Sequence, residues 1–117
     1  MIALPSHTRV YVALGSTDMR KSIDTLSILV QSRLELDPLS GNVFAFCNRR
    51  RTTIKVLYWD RNGFCLFCKR LEKHRFHWPE TKEQLREISP RELAFLLEGL
   101  DLSAIRPHER LHYKTVI

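Results

Sequence analysis

Apolar and polar positions change their period several times along this chain. Thr8–Leu14 alternates, with Val10, Val12 and Leu14 set against Arg9 and Tyr11, which predicts a strand. Gly15-Ser16-Thr17 breaks it, and Thr17 or Asp18 can then accept from the free N–H groups of a helix start. Met19, Ile23, Leu26, Val30 and Leu34 recur at three- and four-residue steps, the single apolar stripe of a long helix over residues 18–36. Asp37-Pro38 and Ser40-Gly41 end it.

From Val43 to Pro79 the pattern shortens to apolar runs separated by turn signals. Val43–Cys47, Ile54–Trp59 and Phe64–Leu71 read as strands, and Arg75–Trp78 as a fourth before Pro79. Asn62-Gly63 predicts a type I′ hairpin turn, whose two central residues need positive φ. With that turn Lys55 lies opposite Arg70, and Val56 opposite Lys69. Residues 80–87 are polar, a loop or a short edge strand. Ser89-Pro90-Arg91-Glu92 is a helix start with a capping box, followed by an apolar face of Leu93, Leu96, Leu97 and Leu100 and a terminal Gly99. The pattern predicts an α+β fold: an antiparallel β-meander sheet of four to six strands. One long helix packs on a face, and a short C-terminal helix closes an end. Both helices on one face leave the hairpin's other face open to a DNA groove, whereas helices on both faces bury its basic strands and exclude that mode of binding. Residues 1–102 read as one domain and 103–117, without any period, as a tail.

Composition narrows the class. The 117 residues are 44% hydrophobic with only four Gly and five Pro, which favours a packed domain over a disordered basic chain. No apolar run reaches the ~20 residues that span a bilayer. The start, Met-Ile-Ala-Leu-Pro, lacks a signal peptide's basic and apolar regions. Three cysteines, an odd number, suit free thiols in a reducing compartment, so the expected location is cytoplasmic without a membrane partner.

Charge changes the picture most. Residues 41–79 hold nine Lys and Arg against two Asp and Glu, while the rest of the chain holds ten against eleven. The net charge of +6 is therefore local to the predicted meander. A basic sheet interleaved with aromatic residues points to an anionic partner, nucleic acid first. The candidate phosphate contacts are Arg49, Arg50, Arg51, Lys55, Lys69, Arg70, Lys73 and Arg75, with Arg20 and Lys21 as a weaker pair that Asp24 can neutralise. A charge-rich but merely solvated sheet is the competing reading.

Two other chemistries have candidate residues. Cys65, Cys68, His74 and His77 are a sufficient zinc ligand set by type. Cysteines three apart on a strand diverge, however, and no Gly or Pro turns the chain between them, so no metal and no cofactor is expected. Among the carboxylates Asp18 reads as a cap, Asp37 as a turn before Pro38, Asp60 as a hairpin residue, and Glu72 as a partner for its basic neighbours. No nucleophile–base pair and no phosphate-binding glycine loop is present, so no enzymatic activity is expected.

Several segments resemble a known family: Thr17-Asp18-Met19-Arg20-Lys21-Ser22-Ile23-Asp24, the Lys55–Gly63 stretch with Trp59-Asp60, Lys69-Arg70-Leu71-Glu72, Phe76-His77-Trp78-Pro79 and Leu96-Leu97-Glu98-Gly99. They are similar to the accessory TnpB proteins of the IS-sixty-six insertion sequences, from about Thr8 to Leu102. The resemblance implies a non-catalytic helper of transposition, encoded beside a separate acidic-triad transposase, with no established catalytic residues. The expected function is DNA binding at transposon ends with low sequence specificity, alongside the cognate transposase and a companion accessory protein. The alternative is an adaptor that docks on the transposase through helix 93–100 and Phe64, Phe67, Phe76 and Trp78. The first reading expects Arg49, Arg50 and Arg51 to be solvent-facing, so that their joint replacement leaves stability unchanged and removes about three phosphate contacts.

Overall fold

A computed structural model describes residues 4–104. Residues 1–3 of the N-terminal stretch and all but two residues of the expected tail lie outside the described residues. The elements are β1 (Val10–Ala13), α1 (Ile23–Ser32), β2 (Val43–Cys47), β3 (Thr53–Asp60), β4 (Gly63–Arg70), β5 (Leu85–Ile88) and α2 (Pro90–Leu97). One five-stranded sheet runs in the order β4-β3-β2-β1-β5. Among the described residues no helix is long and apolar enough to cross a membrane.

The α+β class holds, but the sheet is mixed rather than an antiparallel meander. β1 pairs in parallel with β2 from Val10 opposite Val43, because α1 carries the chain back between them. β5 then pairs antiparallel with the other side of β1, so the N-terminal strand lies inside the sheet. The polar stretch after Pro79 thus does contribute an edge strand.

The two helices lie on opposite faces. Leu26 and Val30 of α1 pack with Phe44, Phe46 and Leu57. Leu93, Leu96 and Leu97 of α2 pack with Val10, Val12, Val43, Ala45 and Val56 on the other side. β2 is central and covered twice, which explains why all five of its residues are buried and its sequence, VFAFC, does not alternate. Of the two arrangements the sequence leaves open, this is the one that counts against DNA binding by the face of the basic hairpin.

α1 is ten residues long, not the nineteen of 18–36. Asp18 and Arg20 hold residues 17–21 in a turn: the Arg20 N–H donates to the Asp18 carboxylate at 2.9 Å, and the Lys21 N–H to the Asp18 carbonyl at 3.1 Å. The helix begins only after Ser22, whose N–H donates to Thr25 Oγ1 at 2.9 Å. It closes at Arg33, and Glu35 adopts φ 55°. Met19 and Leu34 still pack in that core, from outside the helix.

Arg75–Trp78 is not a strand. Phe76 and Trp78 are buried plugs beneath α2, held by Phe76 N–H to the Arg51 carbonyl at 2.7 Å and Trp78 Nε1–H to the Ala13 carbonyl at 3.0 Å. The hairpin turn also differs. Its central residues are Arg61 and Asn62, with Arg61 at φ 52°, and Gly63 already begins β4 opposite Asp60. The register is two residues from the expected one, which preserves every side chain's face. Lys55 now lies opposite Cys68 and Lys69 opposite Ile54, so the expected like-charge pair of Lys55 and Arg70 does not occur. α2 follows its sequence signals: Glu92 N–H donates to Ser89 Oγ and Ser89 N–H to Glu92 Oε1, both at 3.0 Å.

Candidate nucleic-acid interface

Parallel strands place their following loops side by side at their C-terminal ends. Here the β1–α1 loop and the β2–β3 turn meet there. Gly15 takes φ 84° as the chain leaves β1, and the Thr17 N–H donates to the Cys47 carbonyl at 2.8 Å, docking the loop beside the end of β2. Asn48 builds the opposing turn. Its Oδ1 accepts from the N–H groups of Thr52 at 2.9 Å and Thr53 at 3.0 Å, and its Nδ2 donates to Thr52 Oγ1 at 3.0 Å. These side-chain bonds add to the backbone bonds from Asn48 N–H to the Thr53 carbonyl and from Arg51 N–H to the Asn48 carbonyl, both at 3.1 Å, and Arg49 and Arg50 are left exposed at the corner.

Between loop and turn lies an open cleft of about 590 Å³, bordered by Lys21, Arg33, Arg49 and Arg50 together with Ser16, Asp18 and Asn48. Its one carboxylate is engaged. Asp18 Oδ2 receives Arg20 Nη2 at 2.6 Å, and hydrogen bonds from the Arg20 side chain and backbone hold its pKa down at about 2. Among the described residues Lys21, Arg33, Arg49 and Arg50 have no ion-pair partner. The cleft therefore offers four unpaired cations beside a hydroxyl and an amide, a surface suited to the oxygens of a phosphate backbone.

The other candidate cations are placed elsewhere. Arg51 is not a free turn residue: at φ 61° its side chain is only 15% exposed, and Nη1 donates to the Gly15 carbonyl at 2.8 Å. Lys55 Nζ donates to the Met19 and Lys21 carbonyls, both at 2.8 Å, and Lys69 Nζ to the Leu97 carbonyl at 2.7 Å. These two lysines tie the approach to α1 and the end of α2 to the sheet, and so do not project toward a ligand. Both lysines are half-buried. Arg70 is exposed and pairs with Glu72 at 3.1 Å, while Lys73 and Arg75 are exposed on the segment after β4. Arg20 is fully displayed but bound to Asp18.

Arg33 is the cleft residue that the sequence reading missed. A helix expected to run to residue 36 hid it within a helix surface, whereas it is the C-cap. Most residues of the alternative adaptor patch are core: Phe76, Trp78, Leu93, Leu96 and Leu97 are buried, and Phe64 and Phe67 are half-buried. Cys65 lies opposite Tyr58 and Cys68 opposite Lys55, so the two thiols project to different faces of β4. Cys47 is buried, and burial pushes its thiol pKa up.

Residues 8–107 match the family described as IS66 Orf2 like protein. The chain belongs to that family. It is therefore an Orf2/TnpB accessory protein of IS66-type transposition. Two relatives come from Sinorhizobium fredii (strain NBRC 101917 / NGR234), both described as uncharacterized. The protein y4hO is 45% identical over 100 residues, covering 84% of this chain and 87% of its own length. The protein y4jC is 34% identical over 106 residues, covering 91% of each chain. No solved structure matches the chain significantly.

Proposed function

We propose that this accessory protein binds the DNA backbone during transposition, through the cleft between the β1–α1 loop and the β2–β3 turn. The observation that carries this reading is the convergence of Lys21, Arg33, Arg49 and Arg50 on one cleft without acidic partners. Contacts of this kind give affinity with little sequence choice, because phosphates are the same at every step. Arg70 at the end of β4, paired with Glu72, and Lys73 and Arg75 just after it are further exposed cations.

The test is binding to a duplex carrying the transposon end and to an unrelated duplex, measured by fluorescence anisotropy over a salt series. Four phosphate contacts give a log–log slope of about −3.6, and R49S/R50S reduces its magnitude by about 1.8. Both duplexes give similar slopes. A flat slope, or a double variant that binds like the parent protein, overturns the reading. Capture of the cognate transposase after nuclease treatment, with no duplex binding, replaces it with the adaptor role. Among the described residues the large apolar side chains that remain exposed for such docking are Ile28, Leu39 and Leu100.

A further inference from the structure

The sheet treats its two edges differently. β5 is four residues long and displays Arg86 and Glu87, a short charged edge that resists pairing. β4 is eight residues long, pairs one-to-one with β3 without a bulge, and contains no proline. Its cations, Lys69 and Arg70, sit at one end only, and Lys69 is turned inward to the Leu97 carbonyl. Among the described residues nothing pairs with the outer side of β4.

The ladder fixes which backbone groups are free. The Leu71 N–H donates to the Thr52 carbonyl at 2.8 Å, one step beyond the Thr53–Arg70 pair. Odd-numbered residues of β4 therefore aim N–H and C=O at β3, and Phe64, Leu66, Cys68 and Arg70 aim theirs outward. We propose that this edge pairs, antiparallel, with the same edge of a second copy of the chain about a two-fold axis at Phe67. The two five-stranded sheets then become one continuous sheet.

Backbone parity and charge select both the occupant and the register. A two-fold axis can pass only through a residue, since outward-facing groups must meet outward-facing groups. Centred on Phe67, all four outward residues find partners: Phe64 meets the partner's Arg70, and Leu66 meets the partner's Cys68. A centre at Leu66 pushes Arg70 against the Asn62 turn and loses its bonds. At the axis Phe67 meets the partner's Phe67 in a non-hydrogen-bonded pair, where side chains approach most closely. Antiparallel pairing separates the two cationic ends and sets each guanidinium by a Phe64 ring, whereas parallel pairing brings the cations together. The strand is thus complementary to itself, and it requires nothing of the cleft.

The test is the mass of the full chain in solution by sedimentation, across a concentration series. The expected result is twice the 13.8 kDa of one chain, falling to a single chain on dilution. L66P removes an N–H that faces away from β3, so the hairpin keeps its ladder and the variant is monomeric at every concentration with a parent-like circular dichroism spectrum. C68K, which needs no backbone change, weakens the dimer at least tenfold. In a C65S/C68S background, F67C is trapped as a disulfide dimer by copper–phenanthroline oxidation and L66C is not. A monomeric parent protein at all soluble concentrations overturns the proposal, whatever then covers the edge. A dimer unaffected by folded L66P and C68K overturns it too, and cross-linking through L66C instead of F67C overturns the register.

Discussion

Arg51 donates from Nη1 to the Gly15 carbonyl at 2.8 Å, so a residue of one connection holds the other in place. Its own carbonyl accepts from Phe76 N–H at 2.7 Å, and Nη2 reaches Glu80 at 3.4 Å. Two segments distant in sequence, the β1–α1 loop and the stretch from Phe76 to Glu80, therefore converge on one arginine, next to two that face solvent.

The three arginines at 49–51 consequently separate in their effects. R51S is expected to lower stability by about 1.5–3 kcal/mol, the range for hydrogen bonds from a charged group. R49S/R50S stays within about 0.5 kcal/mol of the parent, as exposed substitutions do. Urea denaturation of the two variants checks this. Equal midpoints contradict the structural assignment of Arg51.

Lys55 and Lys69 test the division between holding the fold and contacting DNA. K55M keeps the aliphatic stem but leaves the Met19 and Lys21 carbonyls without their donor, and K69M does the same to the Leu97 carbonyl. Each is expected to cost about 1–3 kcal/mol while the salt slope of DNA binding keeps the parent value. A shallower slope in either variant means that its ammonium group reaches phosphate.

Asp18 gives a pH signature. Its folded pKa, about 2, lies below the ordinary 3.8, so its pairing with Arg20 stabilises the fold above about pH 4 and is lost as pH falls toward 2. The carboxyl carbon should titrate near pH 2 by NMR in the parent protein and in the ordinary carboxylate range in R20Q. The pair is exposed, so added salt narrows the difference. An unchanged midpoint in R20Q assigns the shift to another cause.

Ser89 closes the α2 capping box on both sides. S89A is expected to destabilise by about 1 kcal/mol, visible as a shifted urea midpoint with an unchanged denaturant slope. A changed slope instead signals that α2 has detached from the sheet.

Local signals were legible in the sequence where one element's own residues decide the outcome. The Ser89–Glu92 cap, the alternation in β1 and the apolar runs of β2, β3 and β4 all appear where the pattern placed them. The misreadings arose where side chains compete with the backbone for a helix start, or where distant chain decides. The stripe from Met19 to Leu34 marks one buried surface correctly, but Asp18 and Ser22 compete locally for the first turn and shorten the helix. Phe76 and Trp78 have the spacing of a strand yet are placed by bonds to Arg51 and Ala13. The basic residues of 41–79 look alike in composition. Which of them holds a carbonyl and which faces a cleft depends on the crossover that puts α1 and α2 on opposite faces.

The position of β1 also constrains the order of assembly. Its neighbours are β2 on one side and β5 on the other, and Val10 meets both Val43 and Ile88. Pairings so distant in sequence form slowly, whereas the β3–β4 hairpin closes through a two-residue turn. Pulse-labelled hydrogen exchange should show amides of Val56 and Phe67 protected before those of Val12. During synthesis the first strand made must wait for one of the last. Until residues 85–88 leave the ribosome, β1 presents an uncovered edge, and the protein's passage to its native state ends where its chain began.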